Sequence, residues 1–139
     1  MRSVLVDAGA LIALFASDDR HHRHFDRLVT ALSKDGLRLL TTWPCVVEAS
    51  YLLEVPNRFE MLRWIEMGGV LAYAFEAADL GDMIPWMEKY TKRGGREMDL
   101  ADASLCWLAA ATGNTEIMTT DIADFSRYRL PDGSAFTLL

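Results

Sequence analysis

Short runs of apolar residues alternate along the chain with longer segments of helical periodicity. The first run, residues 3–6, is continuous rather than alternating, as expected for a strand of a parallel sheet covered on both faces. Further strands are predicted over residues 37–41, 70–74 and 117–119, and an edge strand over residues 135–138. Five strands separated by helical segments indicate a sheet whose strands run parallel.

The helical segments are marked by their spacing and by their end signals. In residues 21–33, Phe25, Leu28, Val29 and Leu32 recur at the helical period. Further helices are predicted over residues 10–16, 42–54, 58–67, 77–91 and 99–111, with a short turn over 124–128. The pattern predicts an α/β fold, a three-layer domain with a central parallel sheet of four or five strands.

Length and composition fit one globular domain spanning residues 1–139. The chain is 51% hydrophobic and 24% charged, and no linker, repeat or low-complexity stretch divides it. Cys45 and Cys106 form no C-x-x-C motif and lie in apolar contexts, so we expect buried, reduced thiols and a cytoplasmic protein. Asp7 interrupts the only stretch that resembles a leader peptide, and residues 8–16 are too few to span a bilayer.

The formal net charge of −6 argues weakly against binding of nucleic acid by overall electrostatic attraction. It does not argue against a metal-dependent nuclease, because carboxylates that hold a cation make the chain acidic while the cation restores local positive charge.

Four acidic residues lie beside segments that should form the core. Asp7 and Asp121 each end an apolar run, and Glu48 and Asp102 lie near the starts of two predicted helices. In a parallel α/β sheet, strand ends and the helix starts that follow them face one edge, so the four carboxylates are expected to meet in one cleft. Unpaired buried carboxylates cost several kcal/mol, which favours a bound divalent cation.

Oxygen ligands of this kind suit Mg²⁺ or Mn²⁺, and such ions can drive hydrolysis of a phosphodiester. The chain has no G-x-S-x-G nucleophile motif and no phosphate-binding P-loop. Each residue taken singly also has an ordinary interpretation. Asp7 could simply end a strand, Glu48 could be a solvated helix residue, and Asp99 and Asp102 could belong to a helix cap.

Four segments, in order along nearly the whole chain, resemble the successive motifs of the PIN domain. They are Val6-Asp-Ala-Gly-Ala-Leu-Ile-Ala-Leu14, Val47-Glu-Ala-Ser50, Asp99-Leu-Ala-Asp-Ala-Ser104 and Thr119-Thr-Asp-Ile-Ala-Asp-Phe125. The nearest likeness is to the VapC-type toxin ribonucleases of bacterial toxin–antitoxin pairs.

The resemblance implies an endoribonuclease whose acidic metal and catalytic residues are Asp7, Glu48, Asp102 and Asp121. It also implies that Asp99 and Thr119 support this site, and that the chain pairs as a homodimer inhibited by a cognate antitoxin. Position 9 departs from the pattern, since many family members have serine or asparagine where this chain has glycine.

Several interpretations stay open. The segment with Lys92, Arg93 and Arg96 is either a solvated loop or a guide for the RNA backbone. Asp124 is expected to be a turn or cap residue beside a buried Phe125. A phospho-receiver-like signalling domain and an inactive PIN-like binding module are the alternative functions. The three nearby histidines at 21, 22 and 24 lack partners for a zinc site.

Large apolar residues on the helices over 21–33 and 58–67 exceed what one small sheet face needs, which favours a subunit interface. They are Phe25, Leu28, Phe59, Leu62, Trp64 and Ile65. The four tryptophans, at positions 43, 64, 86 and 107, are expected to pack in the core or at such a contact.

Overall fold

The computed structural model describes residues 1–92 and 95–139. The described residues form five strands, β1 (Arg2–Val6), β2 (Leu37–Thr42), β3 (Leu71–Tyr73), β4 (Glu116–Met118) and β5 (Thr137–Leu138). These strands make one sheet in the order β3-β2-β1-β4-β5, and every pair of neighbours is parallel. The α/β fold with a five-stranded parallel sheet is therefore confirmed, including the edge position of β5.

Within the same ranges, seven α-helices connect and flank the strands. They are α1 (Ala8–Phe15), α2 (His22–Ser33), α3 (Trp43–Leu52), α4 (Val55–Glu66), α5 (Leu80–Tyr90), α6 (Leu100–Thr112) and α7 (Ile122–Arg127). A turn of 3₁₀ helix, Ala77–Asp79, precedes α5. Helix α1 packs against α2, α3 and α4, and α6 packs against α5, α3 and β2.

Four helix starts, those of α1, α4, α5 and α7, differ from the sequence prediction by two or three residues. The differences at α1 and α4 have local causes. Helix α1 begins at Ala8 rather than at residue 10, because the carboxylate of Asp7 caps it. Helix α4 begins at Val55 rather than at residue 58, because Pro56 lies in its first turn, where a missing N–H group leaves no hydrogen bond unmade.

The core lies around the central strand. Val4, Leu5 and Val6 of β1 have no exposed surface, as expected for a strand covered on both faces. Phe25 is also buried, so it belongs to the core of this chain and does not add to an apolar surplus on the surface. Phe59, by contrast, is 53% exposed, and it remains available to a partner.

The remaining large apolar residues divide between core and surface. Trp64, Trp86 and Trp107 are partly buried and pack against the core, whereas Trp43 is 45% exposed. Cys45 and Cys106 are buried free thiols, as predicted. Within the described residues, no helix combines the length and the apolar composition needed to cross a membrane.

Helix α6 is fixed at both ends, which matters because its first turn carries Asp102. Asp99 caps its start, and Gly113, with a φ of 73°, ends it in the left-handed conformation that glycine adopts without strain. Ser104 on the buried face lies 2.6 Å, oxygen to oxygen, from the Thr42 hydroxyl at the end of β2. This contact fixes α6 against the carboxyl edge of the sheet.

Candidate metal centre

The carboxyl ends of β1 and β4 and the starts of α1, α6 and α7 border one cleft of about 230 Å³. Its lining includes Asp7, Glu48, Glu97, Asp99, Asp102, Asp121 and Asp124. The four predicted carboxylates therefore border the same cleft, as the topology predicts. Their individual settings differ from one another.

Asp7 is the most enclosed of the four, with 6% of its surface exposed. Its Oδ1 accepts a hydrogen bond of 2.8 Å from the backbone N–H of Ala10, which caps helix α1. Its Oδ2 accepts a hydrogen bond from the hydroxyl group of Thr119. The same Thr119 hydroxyl oxygen accepts a 2.9 Å bond from the backbone N–H of Asp121. Thr119 thus connects the two aspartates that follow neighbouring strands.

Asp102 lies in the first turn of α6 and is held from two sides. Its backbone N–H donates to the capping carboxylate of Asp99 at 2.8 Å. Its Oδ2 accepts a 2.7 Å hydrogen bond from the hydroxyl group of Tyr128. Tyr128 is completely buried and packs edge-on against Phe125 and Tyr90, so this donor is held rigidly.

Asp102, Asp121 and Asp124 form an acidic cluster. From the sequence, Asp124 was expected to be only a turn or cap residue. One carboxylate oxygen from each of Asp102, Asp121 and Asp124 lies within 4.8 Å of the others. The side chain of Asp121 also caps α7 by accepting a 3.3 Å bond from the backbone N–H of Asp124. Phe125 is buried as expected, but Asp124 is only 6% exposed as well.

Two arginines neutralise part of this charge. Arg127 Nε lies 3.2 Å and an Arg96 guanidinium nitrogen lies 3.3 Å from Oδ1 of Asp124. The same Arg96 nitrogen is 3.9 Å from Oδ1 of Asp121. Burial alone would raise the pKa of Asp124, but its contacts with Asp121, Arg127 and Arg96 lower it. Burial and the contact with Asp124 raise the pKa of Asp121.

Glu48 departs from the expectation of a buried carboxylate. It lies in α3 and borders the cleft, but its side chain is exposed. Partial desolvation, together with the negative charge of Asp99, still raises its pKa. An exposed glutamate at the mouth of the cleft can turn towards a cation with little rearrangement, whereas Asp7 and Asp102 are already fixed.

The electrostatics of the cleft fit a divalent cation. Burial raises the pKa of Asp7 to about 6 despite its hydrogen bonds from Thr119 and Ala10. Burial also raises the pKa of Asp102 to about 7 against the effect of Tyr128, and the charges of Asp99, Asp121 and Asp7 add to the increase. The clustered donors are carboxylate oxygens, which suit Mg²⁺ or Mn²⁺ and not a thiolate-binding metal.

The basic segment is described only in part. Arg93 lies outside the described residues. The backbone N–H of Lys92 donates to the carbonyl group of Arg96 at 2.8 Å, and both side chains are exposed. Arg96 reaches the acidic cluster, so it is more than a solvated loop residue.

Asp124, Tyr128 and Arg127 are among the contributors to the site that were not predicted from the sequence. Asp124 follows Asp121 by three residues, a spacing that suits a helix cap as well as a shared site, so the signal was ambiguous. Tyr128 reaches Asp102 across 26 positions, and no local pattern announces such a contact.

Comparison with known proteins supports the fold. No protein-family model and no curated protein sequence matches the chain. Among solved structures, Mycobacterium tuberculosis VapC20, described as a toxin that cleaves the sarcin–ricin loop, matches with a TM-score of 0.66 and 17% sequence identity. The match covers 82% of this chain and 86% of VapC20.

This similarity confirms the fold predicted from the four sequence motifs. The chain has a VapC-type PIN fold, with its acidic cleft at the carboxyl edge of the sheet. At 17% identity the likeness establishes the architecture and not the function.

Proposed function

We propose that this chain is an endoribonuclease that hydrolyses RNA phosphodiester bonds with Mg²⁺ or Mn²⁺. The observation that carries the proposal is the convergence of carboxylates from separate helices and strand ends on one cleft of a PIN-type fold. Asp7, Glu48, Asp102 and Asp121 are the proposed metal and catalytic residues. Asp99 and Thr119 are proposed to support them.

The protein groups have distinct tasks in this proposal. The Ala10 N–H and the Thr119 hydroxyl hold the Asp7 carboxylate in one orientation, and Tyr128 does the same for Asp102. When bound, a divalent ion supplies polarisation of the scissile phosphate and activation of a water molecule for attack. Because these carboxylates are already held in one orientation, less reorganisation is needed when the ion and the RNA enter.

The basic segment is the proposed guide for the RNA backbone. Arg96 lies at the rim, 55% exposed and within 3.9 Å of the acidic cluster. A guanidinium group in this position can exchange its carboxylate partner for a phosphate oxygen, because both accept similar hydrogen bonds. Lys92 and Arg93 are proposed to contribute further positive charge along the same segment.

The alternative of a phospho-receiver domain is disfavoured by topology. Receiver-like sheets have the strand order 2-1-3-4-5, whereas this sheet has the order 3-2-1-4-5. The two arrangements place different strand ends beside the site, so the likeness of the first aspartate does not extend to the rest of the fold.

RNA cleavage by purified protein tests the proposal. A labelled RNA panel, including an RNA that contains a sarcin–ricin loop, is incubated with Mg²⁺, Mn²⁺ or EDTA. We expect cleavage only with metal, and loss of cleavage in Asp102→Asn. Asp26→Asn, which changes an exposed aspartate on α2, is purified identically and serves as the control. Cleavage that persists in EDTA, or equal cleavage by wild type and Asp102→Asn, would contradict the proposal.

We further propose that the enzyme is the toxin of a toxin–antitoxin pair and acts in the cytoplasm as a homodimer. Exposed apolar residues on α3 and α4 support a protein-binding surface, and Tyr51, Val55 and Phe59 are at least half exposed. A basic antitoxin side chain would find carboxylate partners in the adjoining cleft.

Two measurements test the assembly. Light scattering at micromolar concentration should give twice the chain mass of 15.6 kDa, and a purely monomeric species would contradict the dimer. Expression of the chain should arrest growth, and coexpression of the product of an adjacent reading frame should relieve it. Arrest that is unaffected by any neighbouring product would contradict the toxin–antitoxin assignment.

A further inference from the structure

Gly9 is the second residue of helix α1 and is two positions from Asp7. Its backbone is not in the left-handed region that requires glycine. A helical glycine is less stable than alanine by about 1 kcal/mol, so this position calls for a different explanation.

The explanation is the side chain of Thr120. A β-carbon built on Gly9 would lie 2.1 Å from Oγ1 of Thr120 and 3.3 Å from its Cβ. The same β-carbon would lie 3.6 Å from Oδ1 of Asp7. The Thr120 hydroxyl therefore occupies the space that any side chain at position 9 would take, at the wall of the acidic cleft beside Asp7.

Thr120 differs in its contacts from its neighbours Thr119 and Asp121. Thr119 connects Asp7 to the backbone of Asp121, and Asp121 caps α7, whereas the half-buried Thr120 lines the cleft itself. Among the described residues that line the cleft, the other oxygen-bearing side chains are carboxylates. The Thr120 hydroxyl is thus a neutral group, able both to donate and to accept, placed among acceptors.

We propose that Thr120 is a positioning residue of the acidic cleft, and that Gly9 is glycine because its missing side chain leaves room for the Thr120 hydroxyl. The hydroxyl orients the oxygen ligands that enter beside Asp7, the water molecules that accompany a divalent cation. This inference rests on the proposed metal-dependent function and specifies how the cleft holds its ligand.

Manganese titration of the RNA-free protein, followed by electron paramagnetic resonance of the free ion, tests the role. Thr120→Val removes the hydroxyl and keeps the shape, and we expect Mn²⁺ to bind about fivefold more weakly, the effect of losing one hydrogen bond. Thr120→Ser restores the hydroxyl and should bind more tightly than Thr120→Val. Thr30→Val makes the same chemical change at an exposed position of α2 and is the matched control.

Gly9→Ala tests the steric half of the inference. The added methyl group should displace the Thr120 hydroxyl and weaken Mn²⁺ binding by a similar factor, although alanine favours the helix. In Thr120→Ala the displaced group is absent, so adding Gly9→Ala should cause little further loss, and the two effects should not multiply. Thermal unfolding of each metal-free variant establishes that it is folded.

The Mn²⁺ titrations and the cleavage assay together decide whether Thr120 has the proposed role. Wild-type Mn²⁺ affinity in Thr120→Val, multiplying effects in the double variant, or no Mn²⁺ binding by the wild type would overturn the inference. If Gly9→Ala does not fold, the comparison of Thr120→Val with Thr120→Ser still decides the hydroxyl's role. If neither the wild type nor any variant cleaves RNA, but Thr120→Val binds Mn²⁺ more weakly than Thr120→Ser and the wild type, the nuclease proposal is refuted and the positioning role stands. If the wild type cleaves RNA and the variants bind Mn²⁺ as tightly as the wild type, the positioning role is refuted and the nuclease proposal stands.

Discussion

Removing the charge of Asp102 should stabilise the metal-free protein at alkaline pH. The folded chain raises the pKa of this carboxyl group to about 7, chiefly by burial. The unfolded chain releases the proton near the ordinary value of about 4. Between these two values the folded state holds a proton that the unfolded state has lost, so stability falls as pH rises and levels off above pH 7.

The magnitude follows from the width of that interval. Each pH unit between the two pKa values changes the free energy of unfolding by about 1.4 kcal/mol. Going from pH 5 to pH 8 should therefore remove on the order of 2–3 kcal/mol through Asp102 alone. The asparagine introduced by Asp102→Asn cannot ionise, and its carbonyl oxygen can still accept the hydrogen bond from Tyr128. Asp102→Asn should lack this part of the pH dependence.

Urea denaturation in EDTA measures the effect. The free energy of unfolding is determined for wild type and Asp102→Asn at pH 5 and pH 8, and the difference between the two proteins is compared. We expect it to shift by about 2–3 kcal/mol in favour of the variant as pH rises. Asp26→Asn should differ from wild type by the same amount at both values. A difference for Asp102→Asn that does not change with pH would refute the electrostatic argument.

Three further predictions test single contacts. Tyr128→Phe keeps the packed ring but removes the donor to Asp102, so Mn²⁺ affinity should fall about 10-fold or more in a calorimetric titration; an unchanged affinity would contradict the positioning of this carboxylate. Arg96→Gln removes a competing positive charge 3.3 Å from Asp124, so Mn²⁺ should bind up to about fivefold more tightly in the same titration. RNA should bind this variant more weakly in a filter-binding assay. Weaker Mn²⁺ binding would contradict the competition and show that Arg96 supports the site. Gly113→Ala forces a side chain into a left-handed helix end, so urea denaturation should show a loss of about 1 kcal/mol; unchanged stability would contradict the strain.

Hydrophobic periodicity was sufficient to predict the sheet and most helices, because buried parallel strands and amphipathic helices leave different patterns in sequence. It failed at helix starts. Helix α1 begins two residues earlier than predicted because Asp7 caps it, and α4 also begins earlier because Pro56 is tolerated in its first turn. Both effects depend on hydrogen bonding within a single turn, which apolar spacing does not record.

The candidate site was predictable where topology alone determines position. Asp7 and Asp121 follow strands, and the ends of parallel strands share an edge. Asp124 and Tyr128 were missed because their roles depend on burial and on contacts between distant elements. The exposure of Glu48 was also hidden, since an acidic residue within an apolar helix looks the same in sequence whether it faces the core or the cleft.

A carboxylate of this cleft can cap a helix and also border the proposed metal site. Asp7, Asp99 and Asp121 each cap a helix, respectively α1, α6 and α7, and all three border the acidic cleft. A helix start carries partial positive charge, which favours a nearby carboxylate by about 0.3–1 kcal/mol. Three helix starts directed at one cleft therefore offset part of the repulsion among its carboxylates. The remaining repulsion appears in the raised pKa values of Asp7 and Asp102, and a bound cation would relieve it.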